Sequence, residues 1–204
     1  MYGNIVPIPT PTGDPGTCNF GKAALELFEA GFQPIPIVPG SKKPAVKWKN
    51  GQFEMTARNI RRYWKRHPDH ELGVILGPEI IVFDADTPEG VIALYMLWES
   101  LDLTPNLVVE TDRGEHHYFR LAEGTFAKSD APDKTAHGDR VDVKNGNALA
   151  IVPPSTGKRY LVNEITRIQD LIEICQNGVD AVYRHNGRAV PRQLPEVATC
   201  TLPA

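Results

Sequence analysis

The spacing of apolar residues changes twice in the first third of the chain. After a proline-rich start, apolar side chains recur at helical spacing up to Gly31, which predicts a helix that ends there. Residues 32–38 form a short apolar run with two prolines, which predicts a strand near the edge of a sheet. Helical spacing returns at residues 57–67, where Thr56 is suited to cap the first turn. This part of the chain is therefore expected to run helix, strand, helix.

Two buried strands and a helix are predicted next. The apolar runs at residues 72–76 and 80–84 flank a Gly-Pro pair, as expected for two strands joined by a turn. Thr87 then precedes a proline and a glutamate, which is typical of the start of a helix. The buried side of this helix is expected to comprise Ile92, Tyr95, Leu97, Trp98 and Leu101.

Short strands dominate the second half of the chain. Residues 106–111 and 116–121 flank a polar turn and predict a hairpin, and residues 122–138 predict a loop over or beside a site. The other predicted elements are strands at 141–144, 148–152 and 159–162 and a last helix at 168–175. Because strands outnumber helices and helices fall between the early strands, we expect an α+β fold with a mainly antiparallel sheet flanked by helices.

Composition is ordinary for a globular protein and argues against several classes. Of 204 residues, 41% are hydrophobic and 23% are charged, and the net charge of −3 argues against a uniformly basic nucleic-acid coat. No apolar run is long enough to span a membrane, and no signal peptide is apparent. The three cysteines form no CxxC pair, so neither a zinc site nor a disulfide framework is indicated, and we expect a cytoplasmic protein.

A pair of acids at the end of the second buried strand is the main chemical signal. Side chains alternate along a strand, so Asp84 and Asp86 project from one face, about 7 Å apart along the chain. Neighbouring carboxylates repel each other, and a divalent cation such as Mg²⁺ or Mn²⁺ relieves that repulsion through the oxygen ligands that it prefers. The alternative is that both acids are solvated and cap the following helix.

The same alternation sorts the side chains of the predicted hairpin. His116 and Tyr118 share one face, whereas His117 and Phe119 share the other. Only one of the two adjacent histidines can therefore serve a given cleft. The alternative for His116 is a surface histidine or one with a purely structural partner.

A polar stripe follows on the strand after the predicted loop. Asp142 and Lys144 lie on one face of that strand, and apolar side chains lie on the other. This arrangement indicates that the sheet face is a cleft rather than core. Asp139 is out of register with Asp142 and is expected outside the cleft.

Two basic features are candidates for contact with nucleic acid. The turn after the first strand carries Lys42 and Lys43, of which Lys43 is singled out here, and the helix at 57–67 has a strongly basic face. The residues of that face singled out here are Arg61, Arg62, Lys65 and Arg66. Both features also have a simpler interpretation as solvated surface.

Taken in order, these motifs resemble a known family. The chain contains DxD at 84–86, TxRGxHxYFR at 111–120, and DxK at 142–144 followed by a glycine turn, an apolar strand and PPS. This order and spacing resembles the Prim-Pol family of bifunctional DNA primase/polymerases, in the archaeo-eukaryotic primase superfamily, found in replication proteins of phages and plasmids. The likeness runs from about residue 20 to about residue 162.

The resemblance implies an RRM-like primase core and a role for each matching residue. The family's metal-binding acids, which hold two Mg²⁺ or Mn²⁺ ions, correspond to Asp84, Asp86 and Asp142. His116 matches the histidine that contacts the phosphates of the incoming nucleotide. Lys144 and Arg113 match basic positions that would also bind the nucleotide.

The expected function is template-directed nucleotidyl transfer, with DNA primase and DNA polymerase activity in phage or plasmid replication. Its partners would be a single-stranded DNA template, a primer, dNTPs or NTPs, and a helicase of the same replication system, in the host cytoplasm if the gene belongs to a phage. Residues 20–186 would form the catalytic domain. Residues 1–19 would form a mobile arm before it, and residues 187–204 would form the start of a linker after it.

Three alternatives to this function remain open. A metal-dependent nuclease uses the same three acids but needs no triphosphate pocket. A glycosyltransferase also places DxD at a strand end, but it binds a sugar nucleotide. A replication-origin binding module would bind DNA without chemistry.

Overall fold

The computed structural model describes residues 19–48, 55–132 and 137–191 and shows an α+β fold. The helices are α1 (Phe20–Glu29), α2 (Ala57–Arg66), α3 (Pro88–Ser100) and α4 (Gln176–His185). The strands are β1 (Gln33–Ile37), β2 (Glu71–Ile75), β3 (Ile80–Ala85), β4 (Leu107–Glu110), β5 (Glu115–Leu121), β6 (Asp142–Asn145), β7 (Leu149–Ile151), β8 (Arg159–Asn163) and β9 (Glu173–Ile174). The predicted fold class, a mainly antiparallel sheet flanked by helices, is confirmed.

Side-chain caps explain where the first three helices begin. The Asn19 side chain accepts a hydrogen bond from the backbone N–H of Lys22 at 2.9 Å, at the start of α1. Thr56 caps α2 and Thr87 caps α3 in the same way, each through its hydroxyl oxygen. Such caps satisfy backbone donors that the first turn leaves without partners. The predicted starts of α2 and α3 are therefore confirmed.

Two sheets divide the strands. The smaller sheet has the order β1-β2-β7, with β1 at an edge as its prolines predict. The larger sheet has the order β6-β3-β5-β4-β8, and short β9 pairs with the end of β5. All described pairs are antiparallel except β5 with β9. The predicted hairpin is confirmed as β4 and β5.

The larger sheet separates two hydrophobic cores. Ile80 and Val82 of β3 pack toward α1, α2 and the smaller sheet, whereas Ile81 and Phe83 pack toward α3 and α4. Because side chains alternate, the next residue on the first face is Asp84. The carboxylate therefore faces the space between the two sheets, where the apolar packing of that face ends.

The predicted last helix at 168–175 is wrong. This segment forms a short 3₁₀ turn at Ile168–Asp170 and then β9, and α4 begins only at Gln176. Ile168 belongs to the first core and Ile174 to the second, so the chain crosses from one face of the sheet to the other. A single apolar stripe on a helix cannot pack against both faces of the sheet, whereas an extended segment can.

The predicted buried side of α3 is wrong at two positions. Ile92 is 60% exposed and Tyr95 is 46% exposed, whereas Leu94 and Trp98 are buried. Residues four apart share a helix face, while Ile92 lies about 200° around the helix from Leu94. The predicted burial of Trp98 is confirmed, with Leu97 and Leu101 partly buried against the same core.

None of the described helices is both long and apolar enough to cross a lipid bilayer.

Candidate active site

Strand register brings the acidic and basic residues of three strands together. Within the larger sheet β3 lies between β5 and β6, and it is antiparallel to both. Asp84 is directly opposite His116 on β5 and directly opposite Asp142 on β6. Lys144 is opposite Val82, two residues before Asp84 on the same face, so it reaches the carboxylate diagonally. The alternation predicted for these strands therefore places all four side chains at one edge of the cleft.

Asp84, Asp86 and Asp142 form a cluster that can bind a metal ion. Each offers one carboxylate oxygen, and these atoms lie within 4.8 Å of one another. Octahedral coordination of Mg²⁺ at 2.0–2.1 Å places its ligand oxygens roughly 3–4 Å apart, so small side-chain adjustments bring all three onto one ion. The donor set, oxygen only, is the one that Mg²⁺ and Mn²⁺ prefer. The residues present therefore fit a hard divalent cation.

Two neighbours keep Asp84 ionised. Lys144 donates from Nζ to Oδ2, and Nε2 of His116 lies 3.3 Å from Oδ1, a close polar contact without hydrogen-bond alignment. Burial alone would raise the pKa of Asp84, but His116 and Lys144 outweigh it and hold the pKa well below its usual range. Burial also lowers the pKa of His116, and the attraction of Asp84 offsets this only in part. A buried carboxylate thus faces a neutral imidazole and an ammonium group.

A tight turn places Arg113 over the second acid. Nη2 of Arg113 donates to Oδ1 of Asp86 at 2.9 Å. The hydroxyl oxygen of Thr111 accepts from the backbone N–H groups of Arg113 and Gly114, which closes the turn between β4 and β5. A Cβ atom at Gly114 would overlap the carbonyl oxygen of Ala85, so only glycine allows the turn to pack this close to the acids.

A pocket of about 180 Å³ opens beside the acidic cluster and is lined by residues of both sheets. Its charged and polar lining comprises Lys42, Asp86, Thr111, Asp112, Arg113, His116, Lys144 and Lys158. Leu149 and Ile151 of β7 supply the apolar part of the wall. Asp86 belongs to both the acidic cluster and the pocket, so an ion held by the acids would lie at the pocket wall. Cationic side chains outnumber carboxylates in the lining, which favours an anionic ligand.

Two pocket lysines were not predicted from the sequence. Lys42 and Lys43 are both exposed in the turn after β1, but only Lys42 lines the pocket, whereas Lys43 was the predicted candidate. Lys158 follows β7 in the loop of residues 153–158, and burial lowers its pKa. The signal that could have found both is a lysine in a rigid turn at the end of an apolar strand. Because β1 and β7 are both antiparallel to β2, their carboxyl ends lie at the same end of the smaller sheet.

The other histidine lies on the opposite face, as predicted. The indole N–H of Trp98 donates to Nδ1 of His117 at 2.9 Å, so Nε2 carries the proton and donates to Oε2 of Glu115 at 2.9 Å. Tyr95 donates to the same carboxylate oxygen at 2.9 Å. Both ring nitrogens of His117 are therefore engaged in hydrogen bonds, and His117 is not among the residues that line the pocket. Asp139 also lies outside the pocket, 3.6 Å from Nε2 of His185.

The four basic residues predicted on the second helix lie on α2 and not in the pocket. Arg61, Arg62, Lys65 and Arg66 are all exposed. The helix packs through Ile60 and Trp64 against α1, on the side of the smaller sheet. The structure therefore separates a compact cationic pocket from a broad cationic helix face.

Comparison with individual curated proteins finds no match to the sequence, whereas comparison with protein families does. The family model described as "Bifunctional DNA primase/polymerase, N-terminal" matches residues 24–174, well over half of the chain. This range includes every strand and every residue of the acidic cluster and the pocket. The chain therefore belongs to the bifunctional DNA primase/polymerase (Prim-Pol) family.

Proposed function

We propose that the domain catalyses template-directed nucleotidyl transfer as a DNA primase and DNA polymerase in phage or plasmid replication. The observation that carries this proposal is the shared position of the acidic cluster and the cationic pocket, which meet at Asp86. Membership of the Prim-Pol family supports the same chemistry. A nuclease needs the acids, but it gains nothing from a pocket built for a polyphosphate.

The pocket suits the triphosphate of an incoming nucleotide. Its volume of about 180 Å³ is below the range of roughly 300–1,000 Å³ typical of sites for whole ligands. We therefore assign it to the phosphates, with the sugar and base at its mouth. Lys42, Arg113, Lys144 and Lys158 would balance the phosphate charges. The proposed substrates are dNTPs or NTPs, with a single-stranded DNA template and a primer.

The metal-binding role falls to the acidic cluster. Asp84, Asp86 and Asp142 would hold two Mg²⁺ or Mn²⁺ ions. When bound, such ions lower the pKa of the attacking 3′-hydroxyl and offset the charge of the leaving pyrophosphate. The low pKa of Asp84 keeps its carboxylate available at neutral pH.

The basic residues would position the phosphates. The neutral imidazole of His116 can donate a hydrogen bond to a phosphate oxygen. Lys144, which donates to Asp84, is also part of the pocket lining, so a small rotation would move its ammonium group onto the triphosphate. Arg113 would add a planar donor pair from the turn above Asp86.

A nucleotide-incorporation assay tests this proposal. Purified protein would be incubated with Mg²⁺ or Mn²⁺, a single-stranded template, and labelled dNTP or NTP, with and without a primer. Asp84→Asn keeps the shape of the side chain but removes its charge, and we expect at least about a 100-fold loss of incorporation. Asp139→Asn, an acid outside the pocket, is the matched control and should retain full activity.

The same assay separates the alternatives. Product lengthening supports the polymerase, and metal-dependent shortening of the template supports a nuclease. Turnover of a sugar nucleotide in place of a nucleoside triphosphate supports a glycosyltransferase. DNA binding with no metal-dependent chemistry supports an origin-binding module. Full incorporation by Asp84→Asn would reject the metal assignment. The helicase partner and the cytoplasmic location remain predictions.

A further inference from the structure

The charge of α2 is explained only in part by folding, because the helix dipole favours just Lys65 and Arg66, in the last turn. Five of its ten residues are cationic and none is acidic. Arg58 and Arg61 are three residues apart and Arg61 and Lys65 four apart, so like charges are neighbours on the helix surface, which is destabilising. Arg58 lies in the first turn, where the helix dipole disfavours a positive charge. Within the described part of the chain, none of the five forms an ion pair with an acid. A bound polyanion would remove this repulsion.

Three rings lie at the end of the same helix. His67 and His70 are stacked with ring centroids 4.9 Å apart, and Tyr63 lies 4.8 Å from His67. The Tyr63 hydroxyl is 2.8 Å from Nδ1 of His70, and the indole N–H of Trp64 donates to the carbonyl oxygen of His70 at 2.8 Å. These contacts fix the three rings, and His67 is their exposed member. A fixed, exposed ring beside cations is what a stacked nucleotide base requires.

The ring cluster of Tyr63, His67 and His70 is connected directly to the loop that lines the pocket. Glu71 follows His70, and its carboxylate accepts from the hydroxyl of Thr156 at 2.6 Å. Two residues farther along, Lys158 lines the pocket. A strand of nucleic acid that passes the mouth of the pocket on this side would therefore meet the ring cluster only a few residues of protein chain away.

We propose that the basic face of α2 and the ring cluster form a binding surface for single-stranded DNA outside the pocket. The cations contact successive phosphates, and His67 stacks on a base. Sequence is not recognised by such contacts, because every base has a π-face. The identification of this strand as the template rests on the proposed function, whereas the binding itself does not.

Stacking is tested at His67. Binding of a fluorescein-labelled single-stranded DNA of mixed sequence would be followed by fluorescence anisotropy with the full chain and no nucleotide. We expect His67→Ala to weaken binding at least about five-fold with the same salt dependence, and His67→Phe to restore it, because a ring replaces a ring. Thermal unfolding of each variant verifies that the fold is retained. Equal affinity of His67→Ala and the unchanged protein would overturn the stacking assignment.

The electrostatic part is tested by salt dependence. Arg61→Ala should lower the slope of log K against log salt by about 0.7, the value for one phosphate contact on a single strand. The control is Arg184→Ala, an exposed cation on α4, which should leave both affinity and slope unchanged. If the two variants behave alike, or if duplex DNA competes as well as single-stranded DNA, the surface is rejected.

Failure of this surface and failure of the proposed function give different results. Retained DNA binding that depends on α2 and His67, without nucleotide incorporation, would reject the polymerase and keep the surface. Incorporation with DNA binding that is insensitive to the α2 and His67 variants would reject the surface alone.

Discussion

The two faces of β5 carry adjacent histidines in opposite circumstances. His117 is fully buried and engaged at both ring nitrogens, by Trp98 and Glu115. His116 is nearly as buried, at 5% exposed, but its contact with Asp84 is not aligned as a hydrogen bond. Its Nδ1 has no hydrogen-bond partner among the described residues. On the face with His117, both ring nitrogens already have hydrogen-bond partners. On the face with His116, polar groups remain that a ligand can engage.

This difference separates stability from chemistry. The back face of β5, which carries His117, packs against α3 through aromatic contacts and hydrogen bonds that include Trp98, Phe119 and His117. The front face, which carries His116, holds charged groups whose contacts with one another leave part of their hydrogen-bonding capacity unused. Because desolvating such groups is unfavourable unless they find partners, the front face is where binding energy remains to be gained. Substitutions on the two faces should therefore affect different observables.

The largest expected effect is on the back face. Trp98→Ala removes a side chain that is 1% exposed and contacts Phe83, Phe119 and His117, and should lower the free energy of unfolding by about 3–5 kcal/mol. Urea denaturation followed by circular dichroism measures this change. Met96→Ala, on the same helix but 66% exposed, is the control and should unfold like the unchanged protein.

The next effect is on the front face and on activity. His116→Ala removes the proposed phosphate donor and should lower kcat/KM for nucleotide incorporation by about 100- to 1,000-fold, the usual cost of losing one such donor. The fold should persist, because Lys144 still compensates the charge of Asp84. Steady-state incorporation kinetics measure the change. Activity close to that of the unchanged protein would remove the distinction between the two histidines.

Replacing His117 by phenylalanine, a ring of similar size, tests whether this buried histidine stabilises the fold without acting in the reaction. His117→Phe leaves the indole N–H of Trp98 without its acceptor, and Glu115 keeps only the Tyr95 donor of its two side-chain partners. We expect a loss of about 1–3 kcal/mol in the free energy of unfolding. For the folded fraction, kcat/KM should stay near that of the unchanged protein. A large kinetic defect without a loss of stability would show that the back face acts in the reaction itself.

The smallest expected effect concerns the cation that faces Asp84. Lys144→Met removes a positive charge beside the proposed metal ligands, so Mn²⁺ should bind about ten-fold more tightly at constant ionic strength. The KM for nucleotide should rise at the same time, because a proposed phosphate contact is lost. Isothermal titration calorimetry measures the first change, with Lys22→Met on α1 as the control. Weaker Mn²⁺ binding would mean that Lys144 supports the metal site instead of competing with it.

The sequence could predict those parts of the site that depend on strand alternation. Asp84, His116 and Asp142 lie on antiparallel strands whose apolar residues fix which face is buried, so their common edge follows from pattern and pairing. Two of the three pocket lysines could not be predicted in this way. Lys42 and Lys158 lie in turns, where no periodicity tells which side chain points inward.

The missed helix and the wrong helix face have other physical causes. α4 contains Gly178, a poor helix former, yet a Cβ there would come 2.7 Å from Cγ1 of Ile174, so close packing against β9 requires glycine. Local propensity therefore gave the opposite signal from the tertiary contact. In α3, apolar residues occur all around the helix, and exposed Ile92 and Met96 look no different in sequence from buried Leu94. Only the position of the sheet decides between them.

The turn glycine beside the acids has a consequence for mutational screening. Gly114 contributes no functional group, yet any side chain there would overlap the carbonyl oxygen of Ala85, between the two acids of the strand end. In a saturation scan scored by replication, position 114 should tolerate as few substitutions as the aspartates themselves. A screen that ranks positions by their sensitivity to substitution would thus place Gly114, which acts only through its backbone geometry, among the residues that take part in the chemistry.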